Sequence, residues 1–94
     1  MFIKVKKAEY IGGYKLKLIF NDGKEGIVDL SDTLEGEIFK NLKDKKKFKN
    51  FKLDKDLGTI VWENGADLAP EYLYFLAFKN CKDLESKFKK WKYI

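Results

Sequence analysis

Arginine, histidine and glutamine are absent from this chain of 94 residues, and cysteine and proline occur once each. Each absence closes off chemistry. Histidine is the commonest general base near neutral pH and the commonest metal ligand, and neither role can be filled by it here. A Cys–His nucleophile is excluded for the same reason. Arginine is the usual bidentate reader of guanine and phosphate, so its absence disfavours sequence-specific DNA reading. The lone Cys81 permits no internal disulfide and suits a reducing compartment. No apolar run approaches the roughly 18 residues of a membrane helix, and the opening MFIKVKKAEY lacks the apolar core of a signal peptide. The expectation is a cytoplasmic protein without a membrane span.

What is present is lysine and aromatics. Twenty lysines against fifteen acids give a formal charge of +5, and 45% of the residues are hydrophobic, fifteen of them aromatic. That is enough apolar material for one core without disulfide or metal. The sequence predicts one α+β domain over residues 1–79, followed at 80–94 by a basic amphipathic helical tail.

Alternation is weak over residues 2–8, with Ile3 and Val5 on one face. It is clear over 14–20, where Tyr14, Leu16, Leu18 and Phe20 oppose Lys15 and Lys17. Asn21-Asp22-Gly23 is a hairpin signal that returns the chain into Lys24–Leu30. A three-stranded antiparallel meander is the simplest reading. Residues 31–47 read as a connection with short helical pieces, with Phe39, Leu42 and Phe48 as their apolar side. A second hairpin follows, from Phe51–Leu53 into Thr59–Trp62. Asn64-Gly65 supplies a turn tolerant of positive φ. A helix opens at Pro70, whose missing N–H costs nothing in a first turn, and Glu71 places a negative charge where the helix dipole favours it. In the tail, Cys81, Leu84, Phe88 and Trp91 recur at helical spacing, in one long helix or in the second of two. The bland reading is that this stripe covers a bare face of the sheet. The sharper reading is that Leu84, Phe88 and Trp91 form a partner-binding face. Cys81 reads as a small buried hydrophobe within it.

An ordered set of landmarks carries a resemblance. These are Tyr14-Lys15-Leu16, Phe20-Asn21-Asp22-Gly23, Val28-Asp29-Leu30 and Leu42-Lys43-Asp44 before Phe48. Trp62-Glu63-Asn64-Gly65-Ala66-Asp67-Leu68 follows, with Pro70-Glu71 and Leu73-Tyr74. Over roughly residues 2–74 the chain resembles the uncharacterised bacterial family called domain of unknown function 2442. The resemblance implies a small antiparallel sheet with a helix packed on it. It also implies a range of settings: members joined to a helix-turn-helix domain, members paired with a second small protein in toxin–antitoxin fashion, and members linked to molybdopterin-guanine dinucleotide synthesis. The residues read here contain neither a helix-turn-helix pattern nor the Gly-rich phosphate loop of a complete nucleotidyltransferase.

Candidate chemistry is thin. Asp29, Glu63, Asp67 and Glu71 could in principle gather a hard cation or act as general acids. Their bland roles are strand end (Asp29), loop and helix-start hydrogen bonding (Asp67) and dipole partner (Glu71). Trp62 reads first as a core aromatic. Residues 40–52 hold seven lysines and one acid, and 79–94 hold six lysines and two acids; residues 53–78 hold one lysine and five acids. Such segregation suits a phosphate-binding stripe, with Phe48, Phe51, Phe88 and Trp91 interleaved as stacking residues would be. The bland alternative is a solvated lysine surface over inward aromatics.

The sequence therefore predicts a non-enzymatic interaction or regulatory module with a protein partner. Its candidate motif is Asp29, Trp62, Asn64, Gly65, Asp67, Pro70 and Glu71, and no catalytic residue, cofactor or metal is expected. Weak, sequence-blind nucleic-acid binding is the alternative, a carboxylate-based enzyme the more distant one, and homo-oligomerisation stays open.

Overall fold

Alternation and two glycine turns lay out the sheet. The structure, a computed structural model, describes residues 2–93. Strand β1 (Val5–Gly12) pairs antiparallel with β2 (Lys15–Phe20), and β2 with β3 (Glu25–Asp29), giving the order β1-β2-β3. A second hairpin, β4 (Lys52–Asp54) and β5 (Thr59–Val61), lies against the β1 edge, where the Val5 N–H donates to the Gly58 carbonyl at 2.8 Å. The first strand begins later than its alternation suggests, because residues 2–4 are held differently, and its pairing with β2 carries it on to Gly12. Asn21 Nδ2 donates to the Phe2 carbonyl and Asn21 Oδ1 accepts from the Lys4 N–H.

The turns after Phe20 and Trp62 share one design. In each, the aromatic residue's carbonyl accepts from the glycine N–H three residues on (Gly23, 3.0 Å; Gly65, 2.9 Å), and its N–H donates to the next carbonyl, Lys24 or Ala66. The glycines take φ of +86° and +87°, which a side chain would resist. This is a three-residue hairpin loop, with only glycine left-handed. Asn64 keeps ordinary φ, so it is not one of two positive-φ residues as Asn-Gly suggests.

Between the sheets run two single-turn helices, α1 (Glu37–Lys40) and α2 (Lys45–Phe48), joined by a 3-10 turn at Asn41–Lys43. Asp44 caps α2 by accepting the Lys46 N–H at 3.0 Å. Helix α3 (Pro70–Phe78) starts with proline at its first turn, as expected, but without a side-chain cap. Asp67 does not serve that helix start. Val61 and Asp67 instead form an isolated antiparallel bridge.

After Glu71, α3 reads YLYFLAF, with no polar side to leave in water, so it must be covered on both sides. One side lies on β3, where Gly26 permits close approach: a Cβ there would sit 2.8 Å from Ala77 Cβ. The other side takes the tail. Residues after Phe78 form a 3-10 turn (Lys82–Leu84) and a second helix, α4 (Glu85–Lys90), rather than one long helix. The Phe88 ring lies 5.1 Å from Phe75, and Tyr74 contacts Phe88 and Trp91. The layers are thus sheet, α3 and tail, and the stripe packs on α3 where it was expected on the sheet. Leu84 and Phe88 are buried in the main core, with Cys81 and Trp91 half-buried beside it, so the residues of the postulated partner-binding face are largely spent internally. No helix among the described residues is long and apolar enough to cross a membrane.

Candidate nucleic-acid interface

The turn residues singled out in the sequence come together with the lysine-rich connection, but as fasteners. Trp62 is buried, and its Nε1–H donates to the Phe48 carbonyl at 2.7 Å at the end of α2. Asn64 Nδ2 donates to the Ile38 carbonyl in α1 at 2.7 Å, while its Oδ1 accepts from the Ala66 N–H. From the turn between β1 and β2, the Tyr14 hydroxyl donates to the Lys43 carbonyl. Three side chains from two different elements therefore pin the backbone of residues 38–48. Phe48 completes the anchor beneath it, edge-on to Tyr14 with ring centroids 5.3 Å apart and tilted against Trp62 at 5.8 Å.

On the outside of this pinned segment, Lys40, Lys43, Lys45, Lys46, Lys47, Lys49 and Lys52 are all exposed. Among the described residues the ion pairs are Lys17–Glu25 (3.3 Å) and Lys89–Glu85 (3.4 Å), so none of these seven is paired with a carboxylate of a described residue. The one acid in the run, Asp44, is turned to its helix cap. Lys45 also lies over the Tyr14 ring at 5.7 Å, which orients it. Five of the seven (Lys40, Lys43, Lys45, Lys46 and Lys47) stand on the fastened segment, and Lys49 and Lys52 continue the positive surface towards β4.

Beside it runs a groove of about 290 Å³. Leu42 and Trp62, 2% and 3% exposed, form its apolar floor, and Lys46 and Lys47 line it from α2. Asn41, Asn50, Glu63 and Asn64 supply amide and carboxylate groups at its rim. The sequence reading missed this groove, because it joins residues 41–50 to residues 62–64 across two turns. The available signal was Trp62, whose buried indole N–H needs an acceptor in whatever segment covers it.

The acidic constellation does not assemble into a cation site. Among the described residues no three histidine, cysteine or acidic side chains are placed to hold a metal ion. Asp29 accepts the Ser31 N–H at 3.0 Å, and that bond, helped by the Ser31 hydroxyl and Lys15, holds its carboxyl below the usual range. Glu71 sits in the first turn of α3, and Asp67 and Glu63 are exposed.

A hydrogen-bonded pair of titratable groups lies elsewhere. The Tyr74 hydroxyl donates to Asp22 Oδ2 at 2.7 Å, tying the β2–β3 turn to α3. Burial, then the Asp22 hydrogen bond and charge, push the Tyr74 phenol well above its ordinary value. For Asp22, burial pushes the carboxyl up. The Lys24 N–H, the Tyr74 hydroxyl and the Lys24 and Lys87 charges outweigh it, so the carboxyl is held low. Lys87 also stands 5.4 Å over the Tyr74 ring. These contacts all brace the fold.

Comparison with known proteins gives a family and a fold. A family model described as a protein of unknown function, DUF2442, matches residues 5–79. None of the curated proteins matches. A crystal structure from Nitrosomonas europaea, named "Putative DNA Binding Protein", is similar with a TM-score of 0.73 and 20% identity. The match covers 84% of this chain and 51% of that one, so this chain spans about half that protein's length. At that identity the likeness carries the fold.

Proposed function

The chain belongs to the DUF2442 family, proteins of unknown function, and we propose that this member is a non-enzymatic binding module whose lysine-bearing connection docks the phosphate backbone of a nucleic acid. The observation that carries the reading is the pinned segment 38–48, with seven exposed lysines along residues 40–52 that form no ion pair among the described residues. Fixing a backbone costs conformational entropy, and here three hydrogen bonds fix it ahead of any ligand. The motif residues Trp62 and Asn64 are engaged in that fastening, which supports a binding role over catalysis. The name of the similar Nitrosomonas europaea protein is in keeping with it. Lysine neutralises phosphate without bidentate base reading, so binding is weak, steeply salt-dependent and nearly indifferent to duplex sequence. A gel-shift titration at two salt concentrations tests this. Tight binding that separates one duplex from its scrambled version would contradict it, as would binding that ignores salt.

A protein partner, including a toxin–antitoxin-like pairing, is the second reading. It is favoured by the outer face of the three-stranded sheet, where Ile11 and Ile27 are 42% and 55% exposed. Co-purification that is lost on Ile27→Lys, with lysine substitutions in 40–52 having no effect, would favour that reading over the first. The same substitution, read by sedimentation, tests self-association through this face.

A further inference from the structure

Resting on the polyanion reading, we infer that the groove beside the lysines receives an unpaired nucleobase bearing an exocyclic amino group, so the ligand is single-stranded. Three features of the groove support this. Leu42 and Trp62 lie behind its wall, nearly buried, and make its deepest part apolar. Its rim mixes amides that donate and accept, Asn41 and Asn50, with the acceptor-only carboxylate of Glu63. Lys46 and Lys47 belong both to this wall and to the lysine surface, so a backbone on the lysines brings its bases to the opening. The volume of about 290 Å³ lies at the lower limit of small-molecule sites, which suits one ring system. A base paired within a duplex could not enter. Single strands are the form in which splayed bases reach protein pockets.

Glu63 gives the groove its preference. A carboxylate beside phosphate-binding lysines is a liability unless it accepts a hydrogen bond, and cytosine N4 is the base donor that a glutamate reads best. Thymine, which offers a carbonyl at the equivalent position, faces the carboxylate acceptor to acceptor and is rejected. Cytosine-containing strands are therefore preferred to thymine-containing strands of equal length and charge.

Fluorescence anisotropy with three labelled single strands of equal length tests this: oligo-dC, oligo-dT and an abasic strand. The result expected is oligo-dC binding roughly tenfold tighter than oligo-dT or the abasic strand, in line with the discrimination of one good base contact. Glu63→Gln should reduce the dC-to-dT ratio severalfold, and Asn50→Ala should weaken dC while leaving the abasic strand unchanged. Both positions are exposed, and an unchanged melting midpoint verifies the fold. Because removing a negative charge strengthens every strand alike, the ratio is the readout for Glu63. Equal, salt-sensitive binding of all three strands would overturn the groove inference and leave the lysine reading standing. Binding of none of them at low salt would overturn both.

Discussion

Phe88→Ala tests whether the tail belongs to the core. Phe88 is fully buried, and its ring contacts Tyr74, Phe75 and Trp91 at centroid distances of 6.3, 5.1 and 5.9 Å. Truncating such a ring removes its transfer free energy and leaves a cavity between α3 and α4, a loss of about 3–5 kcal/mol. A domain of this size has a total stability of about 5–14 kcal/mol, so the variant loses a large share. At about 4–8 °C per kcal/mol, the melting midpoint should fall by roughly 12 °C or more. Urea unfolding should show a lower midpoint at similar slope, as a stability change without a change in exposed surface requires. Lys90→Ala, on the exposed side of α4, is the control and should shift the midpoint little. Deletion of residues 80–94 should be worse, since Leu84 and Trp91 go as well, each large side chain contributing about 1.5–3 kcal/mol when buried. If Phe88→Ala melts with the Lys90→Ala control, the tail does not cover α3 and the layered account is wrong.

Other consequences are independent. Gly26→Ala should cost about 1–3 kcal/mol, because the new methyl meets Ala77 Cβ at 2.8 Å, and the double variant with Ala77→Gly should recover part of the loss in a melting assay. Gly65→Val should cost roughly 1–3 kcal/mol through its φ of +87°, with no side-chain clash to blame, whereas Pro70→Ala should cost far less; an unshifted midpoint for Gly65→Val would contradict the turn geometry. The Asp22–Tyr74 pair predicts two pH flanks. The low folded-state pKa of Asp22 adds stability above its unfolded value that is lost as pH falls through the acid range. The raised Tyr74 pKa adds stability below about pH 10 that is lost as pH climbs beyond it. Urea midpoints measured from pH 8 to 11 should therefore fall for the natural chain and fall less for Tyr74→Phe.

Local signals in the sequence were sufficient where a short range decides the structure. The Tyr14–Phe20 alternation, the Gly23 and Gly65 turns and Pro70 each act within a few residues, and each appears where periodicity or turn chemistry places it. The family model over residues 5–79 agrees with the resemblance read from the landmarks. Tail placement depends on what α3 leaves uncovered. The nearly all-apolar YLYFLAF held that information, since a helix with no wet side needs a second cover. The function of Asn64 was hidden for a different reason. Its partner is a backbone carbonyl 26 residues away, and a backbone carbonyl has no sequence signature. The groove shares that difficulty, because only the folded chain brings Asn50 beside Glu63.

The central claim is that the lysines of residues 40–52, and not positive charge in general, form the binding surface. The direct measurement is the salt dependence of single-strand binding for two triple variants of equal charge. Lys46, Lys47 and Lys49 are replaced by alanine in one, and Lys79, Lys82 and Lys90 in the other; all six are exposed. Each lysine–phosphate contact contributes about 0.7 to the slope of log affinity against log salt for a single strand, so the first variant should lose about 2 from that slope along with most of its affinity. The second should keep the slope of the unaltered chain. Equal losses in the two variants would show that net charge alone attracts the strand, and the pinned lysine surface would no longer be the site.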